Sequence, residues 1–120
     1  MRAYTAATAA FTLRMPLKWV DNVLSHHSLA GVSRKRQGVS RRLSLDAIIE
    51  LAVAIRINRA LGASLSRSLH LARTLAPSGI CRIEGVTVSI DLHEIREEIV
   101  SQLQQAVEIV PVPKRGRPRG

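Results

Sequence analysis

Aromatic residues are scarce in this chain. One Tyr, one Phe and one Trp make up 2% of its 120 residues, and all three (Tyr4, Phe11 and Trp19) lie in the first twenty positions. The core must therefore be built from Leu, Ile, Val and Ala, which favours packed helices. Cysteine is nearly absent: Cys81 stands alone, so neither a disulfide framework nor a thiolate zinc cluster is available. No apolar run approaches the length of a membrane span. A leader peptide is not expected, because Thr interrupts the early apolar run and Arg14 and Lys18 follow closely.

Catalytic patterns are also lacking. The chain has no nucleophile motif and no phosphate loop. His26 and His27 are adjacent, so on a helix they point apart, and they read as a solvated helix end. His70 and His93 are isolated, and Glu94, Glu97 and Glu98 read as a helix cap and a solvated face. No enzyme activity, cofactor or metal is expected.

Acid is missing from both ends of the chain. Residues 1–43 hold eight Lys and Arg against one acid, Asp21, and residues 111–120 hold Lys114, Arg115, Arg117 and Arg119 with no acid. The stretch between is nearly balanced, and the chain as a whole carries a net charge of +9. This distribution points to a polyanionic partner, nucleic acid before an acidic membrane surface. Cytoplasmic, nucleoid-associated double-stranded DNA is the expected target.

Against these absences stands one dense stretch, residues 31–46, GVSRKRQGVSRRLSLD, with Arg34, Lys35, Arg36, Arg41 and Arg42. Gly31 and Gly38 permit tight turns. Ser44 as N-cap and Asp46 in the first turn mark a helix start. The stretch reads as a basic β-hairpin leading into a helix, or as a solvated charged loop. Its neighbours favour the hairpin. Before it, residues 5–11 predict a short helix capped by Thr5, residues 12–15 a turn, and residues 16–26 a second helix opened by Pro16. Leu17, Val20 and Leu24 share one face of that helix, while Lys18, Asp21, Asn22 and Ser25 share another and Trp19 lies between. Two short helices four residues apart, followed by a basic hairpin, form a winged helix-turn-helix pattern.

After the stretch, Ser44 to Leu61 predicts a central helix, apolar over much of its surface with Glu50, Arg56 and Arg59 on its wetter side and ended by Gly62, and Ser64 caps another that runs to Ala76. Residues 80–90 read as a small hairpin turning at Glu84-Gly85. Asp91 and Glu94 start a last helix that runs to about Glu108. Its stripe of Leu92, Ile95, Ile99 and Leu103 reads as intrachain core or as a dimer or partner seam. With little chain left to cover it, the seam is the favoured expectation. The layout is a DNA-binding unit over 1–77, a hairpin and helix for dimerisation or partner binding over 78–110, and a disordered basic tail over 111–120.

Residues 4–76 resemble the DNA-binding domain of MerR-type transcriptional regulators and related winged-helix proteins. The resemblance rests on Tyr4-Thr5 with its alanine run, Met15-Pro16-Leu17-Lys18, the Gly38 to Asp46 junction with Arg41-Arg42-Leu43-Ser44, and Leu61-Gly62-Ala63-Ser64-Leu65. It departs at Arg14, where relatives carry a turn glycine, at Leu43 in place of Tyr, and at Asp21-Asn22 in place of an Arg and an aromatic. Separately, Pro113-Lys114-Arg115-Gly116-Arg117-Pro118 resembles an AT-hook, whose arginines suit the narrow minor groove of A·T-rich DNA.

Together these imply a mainly α, winged helix-turn-helix protein with a second small hairpin and a C-terminal helix. The implied function is a sequence-specific transcriptional regulator acting as a homodimer. Its expected DNA-binding residues are Arg14, Lys18, Trp19, Asn22, Arg34, Lys35, Arg36, Arg41, Arg42, Lys114, Arg115, Gly116, Arg117 and Pro118. Two other readings share the same features. One is a DNA-binding antitoxin that masks a toxin protein with residues 78–110, and the other is an architectural or excisionase-type protein that bends DNA.

Overall fold

The computed structural model describes residues 3–27, 29–33 and 41–109. These are mainly helical, with two small antiparallel β-ribbons. Strand β1 (Ala3–Thr5) leads into α1 (Ala6–Leu13), which α2 (Leu17–His26) follows. Strand β2 (Arg42–Ser44) leads into α3 (Leu45–Leu61), followed by α4 (Leu65–Leu75). A hairpin of β3 (Ile80–Ile83) and β4 (Val86–Ser89) precedes α5 (Leu92–Ile109). No helix among the described residues is long and apolar enough to cross a membrane.

Thr5 and Ser44 do the same job in two places. Each ends a strand and caps the following helix: Thr5 Oγ1 accepts from the Thr8 N–H at 3.1 Å, and Ser44 Oγ accepts from the Ala47 N–H at 3.1 Å. The strands pair antiparallel, Ala3 with Ser44 and Tyr4 with Leu43. The starts of α1 and α3 are thereby tied to one another. The α1 helix runs two residues past its expected end at Phe11, into the expected turn, to Leu13. Arg14 then adopts φ +58° and ψ +41°, the left-handed region, with its N–H turned back to Ala10 and Phe11. The turn keeps the glycine-type conformation without the glycine. Pro16 is extended (φ −62°, ψ 144°) and acts as the N-cap of α2, one position earlier than the expected first helical place.

The α3 helix is the centre of the core. Ten of its seventeen residues are buried, from Ala47 through Ile55 together with Ile57, and it packs on α1, α4 and α5. Gly62 ends it in the left-handed conformation, as expected.

The α5 stripe is where the structure departs most from the expectation. Ile95, Ile99, Leu103 and Ala106 are buried within the single chain, and Leu92 is half-buried against the same core. The partner of α5 is α1 together with α3. The reason lies in α1: its alanines carry little side-chain bulk, so a second helix can approach closely. The helix that covers the stripe lies eighty residues earlier in the chain. Two exposed ion pairs, Arg56 with Glu98 and Arg96 with Asp46 (3.3 Å), also join α5 to α3. Such pairs contribute about 0–1 kcal/mol each.

The β3–β4 hairpin turns at Glu84 (φ +48°) and Gly85 (φ +81°), two positive φ values that match the favoured two-residue hairpin turn. Cys81 pairs with Val88 and Ile83 with Val86, so all four share one face. Cys81 is buried and Val88 half-buried, whereas Ile83 and Val86 reach past the core into solvent.

Candidate nucleic-acid interface

The α2 helix is amphipathic in the expected sense. It buries Val20, Val23 and Leu24, while Lys18, Asp21, Asn22 and Ser25 share an exposed face at i, i+3, i+4 and i+7. Trp19 lies beside that face, half-buried and packed against the core. Leu17 is exposed. At the far end, His26 Nδ1 sits 2.8 Å from the Asn22 carbonyl, a local bond that fastens the ring to its own helix.

The basic stretch starts and ends in β-structure. Leu43 is paired on both sides, with Tyr4 in β1 and with Val32 through an antiparallel bridge, and it is fully buried. The Ser33 N–H donates to the Arg42 carbonyl (2.9 Å) and the Ser44 N–H to the Gly31 carbonyl (2.8 Å). The Arg42 N–H donates to Ser33 Oγ at 2.8 Å. Residues 31–33 and 42–44 are therefore the base of an antiparallel ribbon. Arg34, Lys35 and Arg36 lie outside the described residues, as do Gly38 and the tail with Lys114, Arg115, Gly116, Arg117 and Pro118.

One contact joins the ribbon to α2. Arg41 Nη2 donates to Ser25 Oγ at 3.4 Å. The two segments that the sequence marked separately, the polar helix face and the basic stretch, thus lie side by side. Arg42 is exposed on β2, and Arg14 is exposed at the α1–α2 turn.

Arg59 belongs to this region as well. Its Nη2 lies 4.0 Å from Met15 Sδ, which puts a residue late in α3 against the turn before α2. Arg56 is one turn earlier on α3. Neither was expected at the site. The available signal was two arginines three residues apart on a mostly apolar helix. Arg14, Lys18, Arg41, Arg42 and Arg59 have no acidic partner among the described residues. Only Asp21 opposes them on α2. No family model, curated protein or solved structure matches the chain. Its function is read from this geometry alone. The region offers guanidinium groups without acidic partners and an amide at Asn22, donors that suit an extended anion with hydrogen-bonding edges.

Proposed function

We propose that the protein is a sequence-specific DNA-binding regulator of winged helix-turn-helix type. The observation that carries this reading is the Arg41–Ser25 contact, which sets the basic ribbon beside the exposed face of α2. In this reading α2 enters the major groove. Asn22 and Lys18 reach base edges, and an Asn amide pairs with adenine in a bidentate manner. Arg41 and Arg42, with Arg34, Lys35 and Arg36, grip phosphates. Half-buried Trp19 supports the helix. The tail, with Arg115 and Arg117, takes a neighbouring A·T-rich minor groove.

The test is selection of bound duplexes from a random pool, followed by titration of the enriched site. An enriched consensus is expected. Asn22→Ala is expected to lose about 1–3 kcal/mol on that site and to relax one base position. Uniform binding of all sequences, unchanged by N22A, would defeat the reading and favour an architectural protein.

A regulator of this kind acts as a homodimer, and with the α5 stripe buried the contact falls to the β3–β4 hairpin. Each strand has an unpaired outer edge among the described residues, and Ile83 and Val86 are exposed on one face. Edge-to-edge pairing with a second copy would double the ribbon to four strands and set the two Ile83–Val86 faces side by side as one apolar surface. The same surface would serve a toxin in the antitoxin reading. Sedimentation of the purified chain distinguishes them. A dimer that Val86→Lys converts to a folded monomer supports the homodimer, whereas a monomer in both forms removes it.

A further inference from the structure

A recess of about 250 Å³ lies where the end of α1, the middle of α3 and the middle of α5 meet. Arg14, Arg56 and Arg59 line it, with Glu98 as the one acid, so three positive groups less one negative leave a net +2. Ile55 and Ile99 form part of its wall. Glu98 is already committed to Arg56. Arg14 and Arg59 have no acidic partner among the described residues.

We propose that this recess binds a small organic dianion, either a short dicarboxylate or a phosphate monoester. Two unpaired guanidinium groups call for two negative charges, and their planar donor forks fit carboxylate and phosphate oxygens alike. The isoleucine walls suit a short hydrocarbon link rather than a bare inorganic ion. The volume falls just below the range of drug-sized ligand sites, about 300 to 1,000 Å³, so a large cofactor is excluded. The Glu98 carboxylate shows how an anion is held: it sits on Arg56 from across the α3–α5 joint. A ligand there would bridge the α1–α2 turn to α3 and α5 and so fix the angle at which α2 is presented. That last consequence rests on the DNA-binding reading, whereas the binding itself does not.

The test uses the full chain without DNA, titrated with succinate and with glycerol 3-phosphate at constant ionic strength, with sodium chloride as the control. Calorimetry and thermal melting are read together. Saturable binding of one of the two, with a rise in Tm that chloride does not produce, is expected, and which of them binds identifies the anion class. Arg59→Gln and Arg14→Gly each remove one charge-assisted contact and are expected to weaken binding about tenfold or more. Glu98→Gln frees Arg56 and is expected to tighten binding, an effect that a purely structural role for the pair would not produce. The proposal is overturned if neither anion binds beyond the chloride control, or if binding is unchanged in both arginine variants. Should R59Q and R14G weaken duplex binding while neither anion binds, the arginines belong to the DNA surface and the recess is not a ligand site.

Discussion

Gly31 has φ +83°, and a Cβ added there would lie 2.2 Å from Ser44 Oγ, the atom that caps α3. The ribbon base, the left-handed turn and the helix cap therefore meet at one residue. Gly31→Ala is expected to cost about 1–3 kcal/mol, from backbone strain plus disturbance of the cap, and denaturant unfolding reads it directly. Glu50 poses the opposite problem. It is a nearly buried acid on α3, its Oε2 has no hydrogen bond, and Arg73 Nε is 3.7 Å away, an ion-pair contact too long to satisfy it. Burial pushes its carboxyl up from the ordinary 4.5, and Arg73 only partly offsets this. Between the unfolded and the raised folded value the native state binds more protons. Its contribution to stability is thus fully present below about pH 4.5 and is lost as pH rises through the raised value. Glu50→Gln, neutral throughout, is expected to melt higher than the wild type at pH 7 and to converge with it below pH 4.5. Parallel melting curves across that range would contradict the assignment.

At the scale of elements, helix existence was legible because the local signals were strong. Thr5, Ser44, Ser64 and Asp91 each accept the backbone N–H three residues on, as their positions before apolar runs imply. The Glu84-Gly85 turn was equally local. What could not be read was which faces meet. The stripe on α5 looks alike whether it packs on α1 or on another chain, because periodicity records that a face is apolar and not what covers it. The β1–β2 pairing leaves no sequence signal for a similar reason: three-residue strands carry almost no pattern, and Tyr4 and Leu43 meet across nearly forty residues. Arg59 reached the candidate site by the same long-range packing. The burial of the stripe makes a prediction. Ile99→Ala should cost about 2–5 kcal/mol, independent of protein concentration, because the cavity opens inside one chain. A loss that grows on dilution would instead place Ile99 in an intermolecular seam.

At the scale of the whole molecule, charge distribution decides how DNA affinity should behave. The unbalanced positive charge sits at the two ends of the sequence, and among the described residues Arg14, Lys18, Arg41 and Arg42, at the α1–α2 turn, on α2 and at the ribbon base, have no ion pair. If six to eight phosphates are contacted, as Arg34, Lys35, Arg36, Arg41 and Arg42 together with the basic tail suggest, log K should fall with log salt at a slope of roughly −5 to −7. Affinity that is flat in salt would remove the electrostatic basis of the proposal. On the proposed reading the tail adds a separable part. It holds four bases in ten residues around Arg115-Gly116-Arg117-Pro118, and an extended arginine pair recognises the narrow, strongly negative minor groove that A·T tracts provide. Deleting residues 111–120 should therefore make the salt slope shallower on any duplex, because phosphate contacts are lost everywhere. The loss of affinity should nonetheless be larger when the selected site is flanked by A·T pairs than when it is flanked by G·C pairs. The two measurements separate charge from shape. A shallower slope with equal losses on both flanks would leave the tail as a nonspecific electrostatic arm. A flank-dependent loss would make it a second, groove-specific contact on the same DNA.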